Sequence, residues 1–118
     1  MPESRSTAKV ILLPEGATPN LEEDAERGYR SHVLVEVNGS FLYPVTFYTA
    51  SRLKGELDIS ARNGEPYIAE TGMIVLHELT LEAMQTAVQA MCNAGYFDYM
   101  LPLSRERISQ ADPLIWPP

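Results

Sequence analysis

The stretch Ser31-His32-Val33-Leu34-Val35-Glu36-Val37-Asn38-Gly39-Ser40-Phe41-Leu42-Tyr43-Pro44-Val45-Thr46 decides how this chain folds. Val33, Val35 and Val37 alternate with His32 and Glu36, which is the period of a half-buried strand, and Asn38-Gly39 then signals a reversal. A two-residue turn would set the valines on the face of Ser40, Leu42, Pro44 and Thr46, a poor match. A three-residue loop, Val37-Asn38-Gly39, pairs Val35 with Phe41, Val33 with Tyr43 and Ser31 with Val45, and brings both apolar sets to one face. Gly39 is then expected in a left-handed bulge position. Pro44 has no N–H to donate, which predicts an edge strand or a break there.

On the N-terminal side, residues 1–7 are polar and read as loose, whereas Ala8 to Leu13 has the continuous apolar, β-branched character of a strand buried on both faces. Residues 14–30 mix Pro14, Gly16 and Pro19 with Glu22, Glu23, Asp24 and Glu26, which predicts a long acidic loop with at most one helical turn after Asn20. On the C-terminal side, Leu53, Leu57 and Ala61 recur at helical spacing within Ser51 to Arg62, and Asn63-Gly64 stops that helix. Tyr67-Ile68-Ala69 and Met73 to Leu79 flank Glu70-Thr71-Gly72, the pattern of a second hairpin. Thr80 as N-cap and Gly95 beyond the end bracket a helix from Leu81 to Ala94. Its stripe of Leu81, Met84, Val88 and Met91 reads as core. The adjoining Ala83, Ala87, Ala90 and Ala94 allow close approach to the sheet or contact with another subunit. Residues 102–118 form a proline-rich tail with a short helix near Ser104 to Gln110, and Trp116 is expected to dock it.

These readings predict one compact domain over 1–118 of the α+β class, with a mostly antiparallel sheet of four to five strands packed against two helices. At 118 residues with 45% hydrophobic and 21% charged content, the chain is of ordinary globular composition. Its longest apolar runs, Val10 to Leu13 and Met73 to Leu76, are far below the roughly 18–20 residues of a membrane span. The N-terminus lacks a basic region followed by about 7–15 apolar residues, so no secretory signal is read and a cytoplasmic location follows. The single cysteine, Cys92, permits no intrachain disulfide and no zinc site of finger type.

Chemistry leaves few marks. The sequence contains no GxGxxG, Walker A, HExxH, GxSxG or EF-hand pattern. His32 and His77 lie on different predicted strands; His77 and Glu78 point to opposite faces, and His32 and Glu36 lie roughly 13 Å apart along an extended strand. Cys92 near a helix C-terminus meets a dipole that raises a thiol pKa, so it reads as a small core residue rather than a nucleophile. The reading is therefore of no catalytic, cofactor or metal-binding residues.

Charge is more informative. Lys and Arg number 9 against 16 Asp and Glu, a net of −7 that would repel a nucleic-acid backbone. No lysine or arginine occurs from Asn63 to Ser104, while Glu65, Glu70, Glu78, Glu82 and Asp98 add −5, and Glu15 to Glu26 adds another −5. Such clusters can steer a basic protein partner, and tyrosines such as Tyr96 and Tyr99 are typical interface anchors. The expected function is a small acidic interaction module, such as an immunity or antitoxin-like inhibitor that masks a basic surface. The partner-binding residues would be Glu22, Glu23, Asp24, Glu26, Glu70, Glu78, Tyr96, Asp98 and Tyr99. Two alternatives stand beside it: a small enzyme or ligand-binding domain with a pocket between sheet and helix, and a homo-oligomeric accessory subunit joined through the alanine-rich helix or a sheet edge.

Overall fold

The structure, a computed structural model, describes residues 7–13, 21–103 and 114–117. Along the chain come β1 (Ala8–Leu12), α1 (Leu21–Arg27), β2 (Tyr29–Val37), β3 (Phe41–Thr49), α2 (Ala50–Arg62), β4 (Met73–Leu76), α3 (Leu81–Asn93), a 3-10 turn (Tyr96–Tyr99) and β5 (Leu114–Trp116). The strands make one mixed sheet in the order β4-β3-β2-β1-β5, antiparallel except where β3 meets β4. The fold is α+β, as the hydrophobic periods imply. No helix among the described residues is long and apolar enough to cross a membrane.

The hairpin forms with its apolar faces matched, but the register lies two residues from the expected one. Val37 pairs with Phe41, Val35 with Tyr43 and Val33 with Val45. The loop is Asn38-Gly39-Ser40, because Asn38 as well as Gly39 takes positive φ (54° and 68°) and the Ser40 N–H donates to the Val37 carbonyl at 3.1 Å. Phe41 shares the core face yet is 49% exposed, since it pairs with the last residue of β2 at the end of the sheet. Pro44 does not mark an edge strand: β3 lies between β2 and β4. Leu103 N–H donates to Leu42 O and Thr46 N–H donates to Gly72 O. The two-residue period puts the Pro44 nitrogen on that same side, in the gap between these two bonds, where no donor is required.

The second hairpin is replaced by a parallel crossover. Residues 65–70 form no strand, and Glu70-Thr71-Gly72 leads into β4, which returns beside β3 through α2. Residues 14–30 likewise contain more structure than a loop. The helix α1 spans Leu21–Arg27 and β2 already begins at Tyr29, which makes three helices rather than two. Acidic side chains suit the first turn of a helix, and that composition resembles a solvated loop in sequence. The expected coil at 14–20 and the helix near Ser104 to Gln110 lie outside the described residues.

The helix α3 covers one face. Met84 and Val88 are fully buried against Val10, Leu12, Val33, Val35, Val45 and Phe47, and Thr80 Oγ1 accepts from Ala83 N–H at 3.0 Å as its N-cap. Ala83 and Ala87 pack against this core while Ala90 and Ala94 are exposed, so half of the alanine stripe serves close approach to the sheet. Ile11, Leu34 and Leu42 form a smaller buried cluster on the opposite face, joined by Leu13 and Leu103. Near the end of the chain β5 pairs with β1, placing Trp116 opposite Val10. By contrast α2 buries none of its side chains, so the α3 face carries most of the packing.

Gly72 and Gly39 have similar φ values, 77° and 68°, but different surroundings. A Cβ on Gly72 would overlap the Pro44 carbonyl oxygen and stand 3.3 Å from Val45 Cα, whereas one on Gly39 would meet nothing within 4 Å. Both alanine substitutions incur the left-handed penalty of about 1–2 kcal/mol. Gly72→Ala should lose roughly 1–3 kcal/mol more, the range for overpacking. Urea unfolding of the two variants checks this, and equal midpoints would contradict the close β3–β4 approach.

Candidate functional site

The site is built from α1 upward, and α1 is held by a buried charge. Asp24 and Arg30 are each 1% exposed, with Arg30 Nη1 donating to Asp24 Oδ2 at 3.4 Å. Arg27 Nη2 donates to the other oxygen, Oδ1, at 2.6 Å, and Arg30 Nη2 donates to the Leu13 carbonyl. Arg30 reaches this face through a β-bulge. Between Arg30 and Val33 the pairing with β3 shifts, so that Ser31 and His32 together oppose Thr46 and Arg30 falls opposite Phe47, a core residue of the α3 face. Asp24, expected as a surface carboxylate, is thus an internal anchor. Glu22 and Glu23 lie on the same helix, and Glu26 is exposed.

With α1 fixed, Ala25 forms one wall of an open hollow of about 530 Å³. Glu78, Leu79 and Thr80 from the link between β4 and α3, Leu81 and Glu82 from the first turn of α3, and Trp116 of β5 complete the lining. Leu79 is buried, while Glu78 and Glu82 are exposed. Among the described residues the lining holds two carboxylates and no cation. The α3 N-terminus contributes about +0.5 of a charge, which two full negative charges outweigh. The hollow is therefore electronegative at its rim and apolar within, with an indole in its wall. Such a lining suits a basic side chain with an aliphatic stem, because the carboxylates meet the charge, the leucines meet the stem and the indole face attracts a cation. No group of three or more His, Cys, Asp or Glu side chains among the described residues is placed to hold a metal ion.

The other sequence-predicted residues lie elsewhere. Glu70 precedes β4 and accepts a hydrogen bond from Tyr48 Oη at 2.6 Å. There Tyr29 and Tyr48 rings sit 5.1 Å apart, and Arg52 stands 5.3 Å over Tyr29 while pairing with Glu56 at 2.7 Å. Burial, and then the Glu70 hydrogen bond and charge, push the Tyr48 phenol well above the ordinary tyrosine range. Tyr96, Asp98 and Tyr99 belong to the 3-10 turn beyond α3. Phe97 is buried and stacked on Tyr43 at 5.2 Å, which leaves Tyr99 94% exposed. A 13-residue helix is about 20 Å long, so this group stands a helix length away from Glu78 and Glu82. The structure brings Ala25 of α1 and Glu78 to one hollow, whose lining includes neither Glu70 nor Asp98.

Glu82, Leu81, Ala25 and Trp116 were not among the expected partner-binding residues. Glu82 was legible as a first-turn acid, but its meeting with Trp116 depends on the β1–β5 pairing of a three-residue strand, for which the sequence carries no periodic signal. The chain matches no known protein family, no curated protein and no solved structure.

Two outcomes follow from this geometry. Asp24→Ala removes a carboxylate from a buried guanidinium and should cost about 3–5 kcal/mol. Arg27→Ala, whose side chain is 43% exposed, should cost no more than about 1 kcal/mol. Denaturant titration compares them, and equal losses would show that Arg30 does not depend on Asp24. For Tyr48 the folded-state pKa is raised, so its stabilising contribution is complete below the unfolded tyrosine value of about 10 and declines as pH climbs above it. Tyr48→Phe should therefore lose less stability than the wild type between about pH 9 and pH 11, read as the change in melting temperature; parallel losses would contradict the assignment.

Proposed function

We propose that this protein is an acidic protein-interaction module that receives a basic side chain of its partner in the hollow between α1, α3 and β5. The observation that carries this reading is the lining itself: Glu78 and Glu82 at the rim, Leu79 and Leu81 within and Trp116 in the wall. Exposed carboxylates on a chain of net charge −7 add a long-range field that speeds encounter with a cationic surface and opposes nucleic acid. Acting in this way, the module masks a basic surface, in the manner of an immunity or antitoxin-like inhibitor. The single cysteine accords with a reducing, cytoplasmic setting. The 3-10 turn, with Tyr96 and Tyr99 exposed, lies far enough away to form a second and separate contact.

Trp116 is the only tryptophan in the chain, so its fluorescence reports on this hollow directly. Titration with an arginine-rich peptide should give a saturable change in emission that weakens as salt rises. Glu78→Lys with Glu82→Lys should weaken binding at least about tenfold, since coupling across a close interfacial charge pair exceeds about 1.4 kcal/mol. Asp98→Lys, at the far end of α3, should change it far less. A Trp116 signal that is flat, equal for an acidic peptide, or indifferent to the Glu78/Glu82 reversal would contradict the reading.

A further inference from the structure

The sheet face away from α3 carries a second hollow of about 320 Å³, of opposite character to the first. Its walls are Leu13, Leu34, Pro44 and Leu103, and its polar groups are His32, Thr46 and Thr71. Among the described residues this lining holds no carboxylate, although the chain as a whole carries −7. The volume falls in the range of small-molecule sites, and a mostly apolar wall with a few polar groups is their usual composition.

His32 supplies an independent observation. It stands in the bulge between Arg30 and Val33 at φ 58°, in the left-handed region that a non-glycine residue seldom adopts, with Ser31 Oγ 2.9 Å from its Nδ1. Bulges of this kind re-aim side chains beside functional sites, and residues held in sparsely populated backbone regions cluster at ligand clamps. Here the bulge brings an imidazole to the margin of a hollow whose other polar groups are two threonines.

We propose that this hollow binds a small apolar carboxylic acid, with its hydrocarbon against Leu13, Leu34 and Leu103 and its carboxylate against His32. The imidazole and the threonine hydroxyls can donate hydrogen bonds to an anionic head, and hydrogen bonds with an ionised partner are stronger than those with a neutral one. The absence of carboxylates from the described lining spares that head the repulsion it would meet in the hollow beside α1. The site is independent of the partner-binding reading, since the two hollows lie on opposite faces of the sheet.

Octanoate and octanol are suitable probes, followed by amide chemical shifts of the full chain. Octanoate should produce saturable shifts at Leu13, His32, Leu34, Thr46 and Thr71, with Trp116 fluorescence unchanged, and should bind at least tenfold more tightly than octanol. Glycine accepts the φ of His32 without strain, so His32→Gly should keep a cooperative melt while octanoate affinity falls toward that of octanol. His32→Asn, which also tolerates the left-handed region, should show the same loss of affinity. The proposal is overturned if octanoate causes no saturable shift, or if the shifts centre on Leu81 and Glu82. Equal affinities for octanoate and octanol, or undiminished binding in both His32 variants, would overturn it as well.

Discussion

Two residues of β2, Ser31 and His32, stand opposite the single residue Thr46 of β3, and this insertion determines what each face of the sheet carries. In an unbroken strand Arg30 would share a face with His32 and Leu34, away from α3. The extra residue reverses the alternation, so Arg30 joins Phe47 on the core side and Tyr29 joins Tyr48 on the other. Holding a non-glycine residue in the left-handed region costs about 1–2 kcal/mol. Leaving Asp24 buried without Arg30 would cost about 3–5 kcal/mol. The second effect is the larger, and the bulge persists.

The two hollows follow from that reversal. Arg30 holds Asp24, Asp24 holds α1, and α1 brings Ala25 to the rim where Glu78, Glu82 and Trp116 meet. The inserted His32 lies at the hollow on the opposite face, among Leu13, Leu34 and Leu103. One surface is thus acidic and suited to a cation, and the other is apolar with hydrogen-bond donors. The main core lies between them, where α3 seals Val10, Val33, Val35 and Phe47 from water.

Periodicity made much of the fold legible. The apolar β1, the alternating valines of β2 and the capped helix at Leu81 each combine a hydrophobic pattern with a boundary residue, and these local signals agree with the tertiary packing. Elsewhere a local signal has two physical solutions. Asn38-Gly39 fits two loop registers of the same parity, and positive φ at Asn38 selects the one that leaves Ser40 in the loop. Glu70-Thr71-Gly72 fits a hairpin or the entry to a parallel strand, and only the close approach of Gly72 to Pro44 distinguishes them. The acids of α1 read as solvated surface because the residue that buries Asp24 reaches it through a bulge, which leaves no mark in hydrophobic period. For the candidate site, Glu78 was legible from charge, whereas Glu82 and Trp116 are 34 positions apart in the chain and meet only through tertiary pairing.

Proton–proton Overhauser contacts in solution test the bulge most directly. With the bulge in place, contacts are expected between the rings of Tyr29 and Tyr48, whose centroids lie 5.1 Å apart, and between the side chains of Arg30 and Phe47. Contacts of Arg30 with Tyr48 and of Ser31 with Phe47 are those of an uninterrupted register. Finding them instead would contradict the bulge and, with it, the origin of both hollows.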